Sequence, residues 1–137
     1  MKHIFTFVLI FSVHFLFAQL EKTVHQTFNI TDAKNIMVQM NTPFELTAWP
    51  GDAVLVETNI KLENATNAIL NYVVESGRYE ISLEDQGNGA NFNLKEKNTK
   101  RAQLTTKNGV VNETVAVKIF VPEFFNISNK AHLVRKD

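Results

Sequence analysis

The sequence predicts an all-β domain with antiparallel or mixed strands, either sandwich-like or forming the N-terminal part of a β-helix or solenoid. Three observations carry this. Apolar and polar residues alternate with period two over several stretches, which places successive side chains on opposite faces of a strand. Residues that turn a chain, chiefly Gly, Asn and Pro, fall between those stretches. The chain has no cysteine, so its order must come from an apolar core and backbone ladders rather than from disulfides. With 137 residues it is long enough for one domain and too short for two independent cores.

Residues 1–18 open with Lys2, continue as an apolar run from Ile4 to Phe11 and close on Phe15-Leu16-Phe17-Ala18 before the polar Gln19. That is the layout of a secretory signal peptide, helical in the precursor and cut after Ala18. Leu16 is bulkier than the small residue usual at that distance from the cut, so an uncleaved N-terminal anchor is the alternative. No cysteine follows to carry a lipid. The expected division is a signal peptide over 1–18, a β domain over 19–129 and a C-terminal tail over 130–137 that frays. The expected location is outside the cytosol: periplasm, cell surface or extracellular space.

In the mature chain, Ile36, Val38 and Met40 alternate with polar residues, as do Phe44 and Leu46, then Val54, Val56, Ile60 and Leu62. Each run reads as a half-buried strand. Pro50-Gly51-Asp52 supplies the turn between the second and third. Residues 64–72, NATNAILNY, are the one place where a short helix competes, although isolated short helices are marginal without packing. Ser76-Gly77 turns the chain into Tyr79, Ile81 and Leu83, which share one register. Residues 85–107 are more polar and read as a solvated loop or weak edge hairpin, although Phe92 and Leu94 alternate within them and Lys95, Lys97, Lys100 and Arg101 cluster there. Asn108-Gly109 signals a type I′ hairpin, which needs positive φ at both positions. It would pair residues 102–107 with 110–117. The turn spacing suggests an antiparallel meander. Val115, Val117, Ile119 and Val121 form the last clear strand, stopped by Pro122, which cannot donate to a ladder.

Fourteen basic residues face fourteen acidic ones. Loss of the leader removes Lys2 and no acid, leaving thirteen against fourteen and a mature net charge of −1. Nucleic acid and anionic membrane surfaces demand concentrated positive charge, so neither is an expected partner, and no membrane span is expected after signal cleavage. Only His25 and His132 survive leader removal, with no metal-binding spacing, and no metal or cofactor is expected. The mature serines Ser76, Ser82 and Ser128 lie in no nucleophile motif. Glu45, Glu57, Glu80, Glu84 and Asp85 are the carboxylates that would have to converge for glycoside hydrolysis, yet most occupy outward strand positions. The chain is therefore read as non-enzymatic, with no catalytic residues. Four Asn-x-Ser/Thr sequons begin at Asn29, Asn64, Asn112 and Asn126; they matter only in a eukaryotic secretory route.

Three aromatics are candidate binding residues. Trp49 stands before Pro50-Gly51 at a strand end, where it either caps the core edge or stacks against a sugar ring or protein partner. Tyr72 and Tyr79 are expected at the core. Phe124 and Phe125, with Ile127, either fold back onto the core or form an association surface.

Several elements together resemble an adhesin-like family of exported bacterial domains of unknown function, the auto-transporter adhesin head type. They are Ile36 and Val38 before Pro43-Phe44-Glu45-Leu46, Pro50-Gly51-Asp52, the Val54/Val56 strand, Gly77-Arg78-Tyr79-Glu80-Ile81, and Val115-Ala116-Val117-Lys118-Ile119-Phe120-Val121-Pro122. The resemblance covers most of the mature chain and implies early strands leading into stacked β-helix rungs. Rungs normally follow the valine-proline element, whereas residues 123–137 alone follow it here, as in a truncated member. Rungs bury faces that one coil cannot bury alone, so an open strand edge near 115–121 or 124–127 is expected, pairing with a protein partner or a second copy. The expected function is that of an adhesin-like or cell-envelope scaffold acting through surface contacts. The alternative is a small-ligand or carbohydrate-binding module using Trp49.

Overall fold

The computed structural model describes residues 19–129 and 131–137; the proposed signal peptide lies outside them. Among the described residues, eleven strands and one helix follow one another as β1 (Leu20–Phe28), β2 (Asn35–Gln39), β3 (Phe44–Trp49), β4 (Val54–Glu63), α1 (Asn67–Glu75), β5 (Ile81–Asp85), β6 (Asn91–Glu96), β7 (Thr105–Thr106), β8 (Gly109–Val110), β9 (Asn112–Pro122), β10 (Phe125–Ser128) and β11 (His132–Arg135). Sheet A has the order β1-β4-β9-β3 and sheet B the order β10-β11-β2-β6-β5, while β7 and β8 pair on their own. The β3–β9 and β2–β6 pairs are parallel and the rest antiparallel. Of the two expected architectures, the strands adopt the sandwich-like one. They do not form a meander, because successive strands repeatedly switch between the sheets and so pair with distant segments. No helix among the described residues is long and apolar enough to cross a membrane.

The period-two pattern explains why the sheets close face to face. Val54 and Val56 of β4, Val117, Ile119 and Val121 of β9, Ile36 and Val38 of β2, Leu94 of β6 and Leu133 of β11 fall on inward registers and form one buried cluster. Each fully buried side chain of this size contributes about 1.5–3 kcal/mol. A second cluster gathers Ile60, Leu62, Leu70, Val73, Tyr79 and Val111 beneath α1. The competing helix thus exists, displaced toward the C-terminus of the expected segment. The Thr66 hydroxyl caps it by accepting from the Ile69 N–H at 3.3 Å, and Leu70 and Val73 supply the packing that a short helix needs. Tyr79 is buried as expected, but Tyr72 is 72% exposed. It lies two residues from Leu70, over half a helical turn away, and so faces solvent. Gly77, at φ +78°, ends the helical segment in the conformation that glycine adopts freely.

Four further expectations are corrected. Within residues 85–107, read as a solvated loop or weak edge hairpin, the alternation of Phe92 and Leu94 does mark a strand, but β6 lies between β2 and β5 inside sheet B and not at an edge. The hairpin pairs Thr105 with Val110 and Thr106 with Gly109, so Lys107 and Asn108 form its loop. Gly109 takes positive φ while Asn108 does not, which excludes type I′. That ladder stops after two pairs because β9 joins β4 instead, where Val115 and Val117 meet Ile60 and Thr58. Accordingly β9 is no edge; β4 and β3 flank it on both sides. Finally, residues 132–135 of the expected frayed tail form β11, an interior strand whose Leu133 is fully buried. Arg135 fixes it, donating through Nε to the Ala33 carbonyl at 2.7 Å and through Nη2 to that of Ile30 at 2.8 Å. Its guanidinium also lies 4.8 Å from the Phe124 ring centroid and 5.1 Å from that of Phe125, a cation–π arrangement.

Candidate functional site

The inward register of each sheet carries one acidic residue at the same end of the sandwich. Glu96, the last residue of β6, is in phase with Leu94; Glu113, the second residue of β9, is in phase with Val115 and Val117. Burying a carboxylate is costly unless it is paired, and three segments converge to pair these two. The link between β6 and β7 brings Arg101, the turn after α1 brings Arg78 and Tyr79, and the β2–β3 connection brings Thr42. Thr42, Glu96, Arg101 and Glu113 border a cleft of about 280 Å³.

Arg101 spans the sheets. Its Nη1 meets Glu96 Oε1 at 3.2 Å and its Nε meets Glu113 Oε1 at 3.3 Å, while Nη2 donates to the Thr42 hydroxyl at 3.0 Å. Glu113 Oε2 accepts from Arg78 Nε at 2.8 Å and from the Tyr79 hydroxyl at 2.7 Å. Glu96 accepts also from the Asn41 N–H at 2.8 Å and from the Thr42 hydroxyl. Burial pushes the Glu96 carboxyl up, but the hydrogen bonds from Thr42, Asn41 and Arg101 outweigh it and leave it below the usual glutamate range. For Glu113 too, burial is outweighed, here by Arg78 and Tyr79 with the charge of Arg101 added, and the net direction is down. The Tyr79 phenol goes up, first through burial and then through its bond to the Glu113 carboxylate. Two cations and two anions thus neutralise one another. Through Arg101 the cluster ties Glu96 of sheet B to Glu113 of sheet A.

The carboxylates named from sequence do not meet. Glu45 and Glu57 stand on the outward register of sheet A, Glu57 at 3.1 Å from His25. Glu84 pairs with Lys95 and Glu80 with Lys97, and Asp85 accepts the N–H groups of Gly87, Asn88 and Gly89, which lower its pKa. Sequence reasoning passed over Glu96 and Glu113, although a signal existed: each is a charge in phase with an apolar register.

Trp49 lies at the end of β3, opposite Pro122. Its indole N–H donates to the Ala53 carbonyl at 2.9 Å, and its ring lies so close to Gly51 that a Cβ there would come within 2.3 Å. The Phe120 ring stands 6.1 Å away, tilted by 59°. The ring is therefore held rigidly, half-buried, on the outward side of sheet A. Phe124 and Phe125 sit 5.4 Å apart beneath Arg135; Phe125 is buried in the core, so it offers no surface to a partner, and Phe124 is half-buried. The structure does not bring Trp49 and Phe125 together as one exposed site. No family model, curated protein or solved structure matches the chain.

Proposed function

We propose that this chain is an exported, non-enzymatic β domain that works through surface contacts, as an adhesin-like or cell-envelope scaffold component. The carrying observation is that Arg78, Arg101, Glu96 and Glu113 are committed to one another across the sheets, so the charges at this cleft serve cohesion. The outward faces add support: Thr23, Ala116 and Lys118 on sheet A and Asn126 on sheet B are exposed, as suits a domain that presents surfaces. Beads carrying the 19–137 chain test this. Adhesion to bacterial envelopes should saturate and should survive Glu113→Gln, provided the variant stays folded. Retention of the full precursor in the cytosol of its host, or a substrate turnover abolished by Glu113→Gln, would overturn it.

The second reading is a carbohydrate-binding module. It is favoured by the rigid Trp49, which shares the outward face of sheet A with a cleft of about 290 Å³ lined by Thr23, Glu57, Asn59, Ala116 and Lys118. Aromatic stacking beside amide and carboxylate groups is the chemistry that a sugar ring needs. A glycan array decides between them: signal from the wild type that vanishes in Trp49→Ala supports the module, and a blank array removes it.

A further inference from the structure

Four strands stand at sheet edges: β1 and β3 in sheet A, β10 and β5 in sheet B. An unpaired edge is a template for pairing with another chain, and proteins blunt it with charges, prolines or covering groups. The first of the four is guarded by the inward-facing Lys22, which donates to Asn71 of α1 at 2.9 Å. In β5 the Gln26 amide does the blocking: its Nε2 donates to the Ile81 carbonyl at 3.0 Å and its Oε1 accepts the Ile81 N–H at 3.0 Å. That side chain imitates a neighbouring strand.

For β3 no side chain bonds the free edge among the described residues; its one charge, Glu45, stands on the outward face, and Pro43 and Pro50 lie just outside the strand. In a parallel ladder alternate residues bond the neighbouring strand. The carbonyls of Pro43 and Trp49 accept from Val117 and Glu123 of the β9 side, so the odd positions face β9. The N–H and C=O groups of Phe44, Leu46 and Ala48 therefore point away from it, and no hydrogen bond to them occurs among the described residues. Beside this edge the other sheet reaches further. Ile127 of β10 lies on the same inward register as its pair partner Leu133, yet it is 41% exposed while Leu133 is fully buried. Sheet A does not extend over it. An added strand at β3 would supply both the missing ladder partner and a cover for Ile127.

Charge selects the occupant. Across the outward face the registers run His25–Glu57–Lys118–Glu45, with the last three alternating in sign. The position beyond Glu45 thus calls for a cation, since opposite charges side by side stabilise a sheet. A second copy fits less well. Antiparallel pairing of β3 with itself about Leu46 sets Thr47, not a cation, opposite Glu45. We infer that the open edge of β3, backed by Ile127, takes up an extended peptide segment of alternating apolar and polar residues with lysine or arginine across from Glu45. This is strand addition, in which backbone bonds give affinity and alternate side chains give specificity. It rests on the surface-contact reading and names its partner chemistry.

The test uses the 19–137 chain and two synthetic peptides, Val-Lys-Val-Thr-Val-Thr and Val-Glu-Val-Thr-Val-Thr. The lysine peptide should slow amide exchange at Phe44, Leu46 and Ala48 and bind about fivefold tighter than the glutamate peptide at low salt, the size of one cross-strand charge pair. Glu45→Lys should reverse that order. Ala48→Pro removes an outward N–H at an exposed position and should abolish protection while leaving the unfolding midpoint nearly unchanged. Equal binding of both peptides, protection elsewhere, or protection without peptide in a chain that light scattering shows to be a dimer would overturn the inference. Bead adhesion that persists in Ala48→Pro would sink this assignment while sparing the surface-contact function; adhesion absent from the wild type would sink the function itself.

Discussion

At the scale of the residue, Arg101 is the pivot. Glu96 and Glu113 both lie against it with their side chains largely buried, and removing one member of a buried pair leaves uncompensated charge. Arg101→Met should cost about 3 kcal/mol in urea unfolding; a loss no larger than that of an ordinary surface substitution would refute the role. The same groups set the pH window. Glu96 and Glu113 are depressed in the folded chain from a usual value of 4.5, so their stabilisation is complete above that value and is lost as the pH falls through the lower folded values. Tyr79 is raised from 10.0, so its contribution is complete below pH 10 and declines as the pH climbs beyond it. Urea midpoints measured across pH should show both limbs, the acid one shallower in Glu113→Gln and the alkaline one shallower in Tyr79→Phe. The sequence already placed these glutamates in apolar phase with Leu94 and Val115. Which cations would reach them was not legible, because Arg78 and Arg101 arrive on connections whose path tertiary packing decides.

At the scale of the element, alternation located β2, β3, β4, β5 and β9 well, because one buried face fixes the register of a strand. Pairing was less legible. Asn108-Gly109 marked a turn correctly, yet the long apolar face of β4 outbid the hairpin for β9. Of the two places where an edge was expected, 115–121 is interior as β9 while 124–127 falls on β10, which does end sheet B; a strand shows its pattern in sequence but not its neighbours. Gln26 illustrates this, since nothing local reveals that its amide serves β5. Gln26→Leu should leave the Ile81 N–H and C=O without partners and cost about 1–3 kcal/mol. It should also speed amide exchange at Ile81; unchanged exchange there would mean that the amide is not a guard.

At the scale of the whole molecule, the two sheets are closed by segments far apart in the chain. Strand β11 lies between β10 and β2, setting Leu133 beside Ile36, and Arg135 reaches Ala33 across 102 positions. Deleting residues 132–137 removes an interior strand and strips cover from Ile36, so the shortened chain should lose its cooperative thermal transition and bind a hydrophobic dye. A sharp transition near the parent midpoint would contradict the assigned topology. Contacts so distant make folding slow, since the intervening loop must close before they form. Until the stretch around Leu133 arrives, β2 lacks its neighbour on one side and β10 has no ladder at all, so the last few positions of the chain decide when sheet B can close.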